Sequence, residues 1–215
     1  LSRGASKYRT LSGIARNEHP GTYGALATFR YTPSRGARIR GRTRRGVEGY
    51  QSIRAEKISL LVLLDATILT NFARVGLTSV VRDLWGDQVY TTVDVLKEYD
   101  AGIRAAGLPQ SGWKQLSALA LTPDERALAS NLFPRLGLGE RSCLAIAVSR
   151  HALVATDDKP ARRAVRHNGI PVIGTVGILR RCVERGLFPE SEAQTVLGGM
   201  IAAGYYAPTR SLKDE

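Results

Sequence analysis

The chain has 215 residues, 43% of them hydrophobic, and carries 31 Lys/Arg against 19 Asp/Glu for a formal net charge of +12, which suits one domain of ordinary size with an appendage. No run reaches the roughly 18 consecutive apolar residues of a membrane span and the first residues lack the apolar stretch of a signal peptide, so a cytoplasmic protein with no membrane partner is expected. The two cysteines, Cys143 and Cys182, have neither CxxC nor His spacing for zinc, and both read as reduced core residues.

The charge is unevenly placed. Residues 1–57 hold 13 Lys/Arg and 3 Asp/Glu, a net of +10, while residues 58–215 hold 18 and 16, a net of +2. The first segment, with RGARIRGRTRRG at its densest, has no sustained period and little to bury, so it is expected to be a disordered basic arm able to track phosphate by charge. The only methionine, Met200, is far from Leu1. A non-Met initiator, a fragment, or a start placed too far upstream each fits, and in the last case the protein begins near Ile58.

From Ile58 the pattern alternates. ISLLVLLD reads as a central parallel strand buried on both faces. Helical spacing follows over Thr67 to Val75 and Leu77 to Trp85, then the short strand QVYTT, then an amphipathic helix from Val93 to Ala106 ending near Gly107 and Pro109. WKQLSALAL is a third strand, and TPDERALASNLF opens a helix with Thr122 as N-cap, Pro123 in the first turn and Glu125 three residues on. ERSCLAIAVSR is a helix, ALVAT a fourth strand, PARRAVRHNG a helix closed by Asn168 and Gly169, and IPVIG a fifth strand. Helices at Val176 to Arg185 and Glu190 to Ala203 complete a domain over 58–204, with 205–215 as a tail. The expected fold is a three-layer α/β/α sandwich around a mostly parallel five-stranded sheet.

Acids stand where these strands end or helices begin. Asp65 closes the first strand, Glu98 lies within VDVLKEY, Glu140 follows LGLG, and Asp157 and Asp158 follow ALVAT. In such a chain the carboxyl ends of parallel strands share one edge of the sheet, so distant residues can converge there. Converging carboxylates repel unless a cation joins them, and an all-oxygen site suits Mg²⁺ or Mn²⁺ acting on phosphates. Each acid also has an ordinary role: Asp65 or one of Asp157 and Asp158 can cap a helix, Glu140 can complement a helix dipole, and Glu98 can be a surface glutamate.

Rival chemistries fit less well. His151 and His167 stand at helix ends beside basic residues, with no nucleophile elbow, and an aspartyl nucleophile at Asp65 would expect a second acid where Thr67 stands. The G-x-G before Glu140 lacks the rest of a phosphate-loop pattern.

The segments LLDATILTNFARVG, LGLGERSCLAIA and LVATDDKPARRAVRHNGIPVIGTVGIL resemble the PIN domain family, above all its small prokaryotic members. The resemblance implies a ribonuclease in which Asp65, Glu140 and Asp157 or Asp158 hold Mg²⁺ or Mn²⁺, Glu98 completes the acidic set, and Thr67 and Thr156 flank it. It further implies RNA as substrate, a small antitoxin protein as a partner where the member is a toxin, and homodimerisation. The third motif departs from the commoner toxin pattern, whose Asp lies two or three residues later, at Ser142 or Cys143 here. On the helix after the last acid pair, Arg162, Arg163 and Arg166 are candidates for contact with RNA phosphates. A module of the same fold that binds RNA or a protein without turnover is the alternative.

Overall fold

A computed structural model describes residues 61–106 and 112–213. The basic arm, the start of the first strand at Ile58 and the turn at Gly107 and Pro109 lie outside those residues. The order is β1 (Val62–Leu64), α1 (Ala66–Arg74), α2 (Thr78–Trp85), β2 (Val89–Thr92), α3 (Val93–Ala105), β3 (Ser117–Leu119), α4 (Pro123–Leu132), α5 (Leu138–Arg150), β4 (Leu153–Ala155), α6 (Lys159–His167), β5 (Val172–Ile173), α7 (Thr175–Glu184) and α8 (Glu190–Ala202). A short 3₁₀ turn, Gly86–Gln88, leads into β2.

The five strands form one parallel sheet in the order β3-β2-β1-β4-β5, with Val62 beside both Val89 and Leu153. Val62, Leu63 and Leu64 are fully buried because helices cover both faces of a central parallel strand. Truncating Leu63 to Ala would remove about 2–5 kcal/mol of stability. Helices α3, α4 and α5 pack together, as do α1 with α2 and α8, and α7 with α2 and α8, giving the three-layer sandwich.

Local signals explain several boundaries. Thr122 Oγ1 accepts from Glu125 N at 3.2 Å and Glu125 Oε2 accepts from Thr122 N at 2.9 Å, a full capping box with Pro123 at the first turn. β3 is shorter than WKQLSALAL implies. A turn closes from Leu116 N to the Trp113 carbonyl, and Trp113 Nε1 donates to the Leu69 carbonyl at 3.0 Å, so its indole fastens the segment to α1 instead of extending the strand. α5 starts at Leu138, two residues before the expected start, and ends on His151 in the left-handed region at φ 54°. Cys143 and Cys182 are free and buried, and burial pushes the Cys182 thiol up to about 12.

The expected tail is packed as well. Tyr205 and Leu212 are buried, and Leu212 N donates to Gln194 Oε1 on α8 at 3.0 Å.

Candidate functional site

The sheet order reverses direction at β1, whose neighbours are β2 and β4, and a crevice opens beyond the carboxyl ends of β1 and β4. Asp65 leaves β1 there and Thr156, Asp157 and Asp158 leave β4. Asp65 N donates to the Ala155 carbonyl at 3.0 Å, so the two chain exits are held side by side.

Asp65 is 2% exposed and sits at the N-cap position of α1 without a side-chain capping bond. Its Oδ2 instead accepts from Thr67 Oγ1 at 2.9 Å and from Thr156 Oγ1 at 2.8 Å. Burial raises its pKa, with the two hydroxyls opposing. The threonines also accept: Thr67 Oγ1 from Asp157 N and Thr156 Oγ1 from Asp158 N, each at 3.1 Å. Each hydroxyl therefore links Asp65 to the β4–α6 turn.

Glu98, on α3, is drawn in by α5. Its Oε1 accepts from Gly139 N at 2.8 Å. A Cβ on Gly139 would collide with Glu98 Oε2 and come within 3.0 Å of Val95 Cγ2. The G-x-G thus makes room for a carboxylate 41 residues away in the chain, a signal that the spacing alone does not disclose. Glu140 stands at the third position of α5, and its Oε2 accepts from Gly137 N at 3.0 Å, half of a capping box. A Cβ on Gly137 would lie 3.7 Å from both Glu140 Oε2 and Glu98 Oε1, so both carboxylates border the same glycine. Burial raises the Glu140 pKa, the Gly137 amide opposes it, and the charges of Asp158, Asp65 and Glu98 raise it further.

The adjacent pair after β4 divides. Asp157 is tied down by four donors: Oδ1 accepts from Thr175 N at 3.0 Å and Tyr205 Oη at 3.1 Å, and Oδ2 from Asn71 Nδ2 at 3.1 Å and Thr175 Oγ1 at 2.5 Å. It fastens β4 to α1, α7 and the segment after α8. Asp158 Oδ1 caps α6 by accepting from Ala161 N at 2.7 Å. Its charge nonetheless leads the three carboxylates acting on Glu140. Glu98 and Asp158 form the acidic wall of the cleft, which Asp157 also lines while serving as its foundation through four donors; Asp65 and Glu140 adjoin that wall without lining the cleft.

A chain with these acids at these positions falls within a known family. The family model DUF3368, a PIN domain, matches residues 61–214. The chain belongs to the PIN domain family. No curated protein matches it. In this PIN domain the residues missed by sequence reading are Asn71, Thr175 and Tyr205, the partners of Asp157. Asn71 carried one signal, a buried polar side chain among Ile68, Leu69 and Phe72.

Two further placements bear on the expectations. Arg162 Nη1 donates to the Thr156 carbonyl at 2.9 Å, so it braces the β4–α6 turn, whereas Arg163 and Arg166 are exposed on α6. Ser142 is buried, donating to the Gly139 carbonyl at 2.7 Å and lying 2.5 Å from Thr92 Oγ1. It joins α5 to the start of α3 behind the wall.

An all-oxygen donor set suits a hard cation. Among the described residues no group of three or more His, Cys, Asp or Glu is close enough to enclose an ion unaided.

Proposed function

We propose that this PIN domain is an endoribonuclease that hydrolyses phosphodiester bonds in RNA with Mg²⁺ or Mn²⁺. The observation that carries the reading is a buried carboxylate, Asp65, with no basic side chain against it among the described residues, near Glu140, on which the charges of Asp158, Asp65 and Glu98 all act. An arrangement that raises carboxylate pKa values costs stability, and such sites are characteristic of function. The ion would supply Lewis-acid activation of water and neutralise charge on the phosphoryl oxygens.

The chain's own residues do the rest. Thr67 and Thr156 fix the Asp65 rotamer through Oδ2. Asp157 and its four donors keep the β4–α6 turn rigid, which holds Asp158 in place. Arg163 and Arg166, exposed on the helix that Asp158 caps, attract phosphate toward the crevice. A small antitoxin and a second copy of the chain are partners within the same proposal.

The deciding experiment is degradation of a mixed-sequence RNA with Mn²⁺ and with EDTA. Cleavage with Mn²⁺ that EDTA stops, and that Asp65→Asn abolishes, supports the reading; undiminished cleavage by a folded Asp65→Asn protein overturns it. One observation favours a second reading, a binding module without turnover: Glu98, Glu140 and Asp158 each already accept a backbone N–H. RNA binding without cleavage under any divalent ion would select it.

A further inference from the structure

After α8 the chain turns back over the crevice. Tyr205 is buried with its hydroxyl on Asp157 Oδ1 at 3.1 Å, which fixes the following residue at the crevice mouth. Tyr206 is 86% exposed there. A tyrosine presents an apolar ring face with a polar tip, so a ring held at a cleft mouth by an anchored neighbour is available as a contact surface. Lys159, the first residue of α6 and next to Asp158, has its Nζ 5.6 Å from the centroid of that ring. Both residues line the same cleft, of about 590 Å³, as Thr67, Glu98 and Asp158.

The wall of this cleft is acidic, so phosphate needs a cation and base a stacking partner at its rim. Lys159 and Tyr206 supply one of each. We propose that Tyr206 and Lys159 form a nucleotide platform: the ring stacks an unpaired base of single-stranded RNA, and the ammonium holds the adjoining phosphate at the entrance to the cleft lined by Glu98, Asp157 and Asp158. Paired bases hide their faces within the duplex, so the platform selects single strands. A tyrosine with two side-chain torsions and an anchored backbone is ordered before RNA arrives, which limits the entropic cost of stacking. The substrate class named here rests on the ribonuclease reading above.

The test measures binding of the full chain, in EDTA, to a labelled oligouridine and to an abasic ribose-phosphate chain of equal length, at about 0.2 M salt to suppress the arm's charge-driven contacts. The parent should prefer the base-bearing strand. Tyr206→Ala should weaken that strand by about tenfold or more while leaving the abasic strand unchanged. Tyr206→Phe should restore the preference, because the ring and not the hydroxyl is used. Lys159→Ala should weaken both strands alike and make the salt slope about one unit shallower. The proposal is overturned if Tyr206→Ala binds as the parent does, if it weakens both strands equally, or if the parent binds neither; an unaffected Tyr206→Ala variant would assign the exposed ring to a protein partner. The two readings fail separately: metal-dependent cleavage with no role for Tyr206 removes only the platform, and ring-dependent binding without cleavage removes only the ribonuclease.

Discussion

Asp65 and Glu125 are each 2% exposed, yet Asp65 lies far deeper in the protein, and their acidities move in opposite directions. Glu125, on α4, receives the Arg150 guanidinium on both oxygens, at 2.7 and 2.9 Å, and the Thr122 amide at 2.9 Å. Those partners, Arg150 first, hold its pKa down at about 2. Asp65 has two hydroxyls and the Ala66 and Thr67 amides but, among the described residues, no basic side chain, and burial wins. Burial alone therefore does not mark a functional acid. What distinguishes Asp65 and Glu140 is that their hydrogen bonds only partly offset their burial.

The largest expected effect follows from Asp65→Asn. Cleavage should fall by more than about 100-fold, while thermal stability without metal equals or exceeds the parent's, since the change removes a buried charge. A melting point well below the parent's would show that the carboxylate is compensated after all, and the contrast with Glu125 would collapse.

The compensated acid comes next. Arg150→Ala removes the main partner of Glu125 and, with Arg150 partly in solvent, should cost about 1–2 kcal/mol in urea unfolding, with cleavage per folded molecule unchanged. Because the folded pKa of Glu125 lies below its ordinary 4.5, its stabilisation is present above about pH 4.5 and lost as pH falls toward about 2. Urea midpoints taken at pH 6 and pH 3 should thus drop more for the parent than for Glu125→Gln. Parallel drops would mean that the Arg150 pair contributes nothing.

The neighbours after β4 sharpen the comparison within a single turn. Asp157→Asn must mismatch at least one of four donors and should cost about 1–3 kcal/mol of stability. Asp158→Asn keeps a good N-cap and should change stability by only a few tenths of a kcal/mol, yet lose most cleavage. Calorimetry beside an RNA assay separates them, and equal stability losses would merge wall and foundation.

The smallest effect concerns Ser142. In the resemblance it marked only an absent acid, and its replacement should leave catalysis intact. Its two buried contacts, to Thr92 and Gly139, nevertheless make Ser142→Ala cost about 1 kcal/mol in stability. Loss of cleavage without loss of stability would move Ser142 into the site.

The order of strands and helices was legible because apolar runs, caps and breakers repeat along the chain, and the capping box at Thr122 and Glu125 appears in the structure as the residues imply. Convergence of Asp65 with the β4 acids was legible for the same reason, since parallel strands end on one edge. The separate fates of Asp157 and Asp158 were not. An aspartate after a strand looks alike whether it caps, anchors or faces a crevice, and the donors that decide it, Asn71, Thr175 and Tyr205, lie on three other elements. Glu98 was equally opaque, being drawn inward by a glycine on another helix. Residues 205–215 read as a tail because one buried Tyr and one buried Leu create no period.

Because all five strands run parallel, no two are joined by a hairpin, and the bond from Thr156 to Asp65 spans 91 residues. Parallel pairing of this range forms slowly, after the entropy of closing the intervening chain has been overcome. During synthesis the β1 edge must wait beside β2 until β4 has been made, and the Tyr205 anchor of Asp157 comes later still. The crevice is therefore absent from every shorter nascent chain, so a ribosome making this protein carries no finished crevice until nearly the whole domain has emerged.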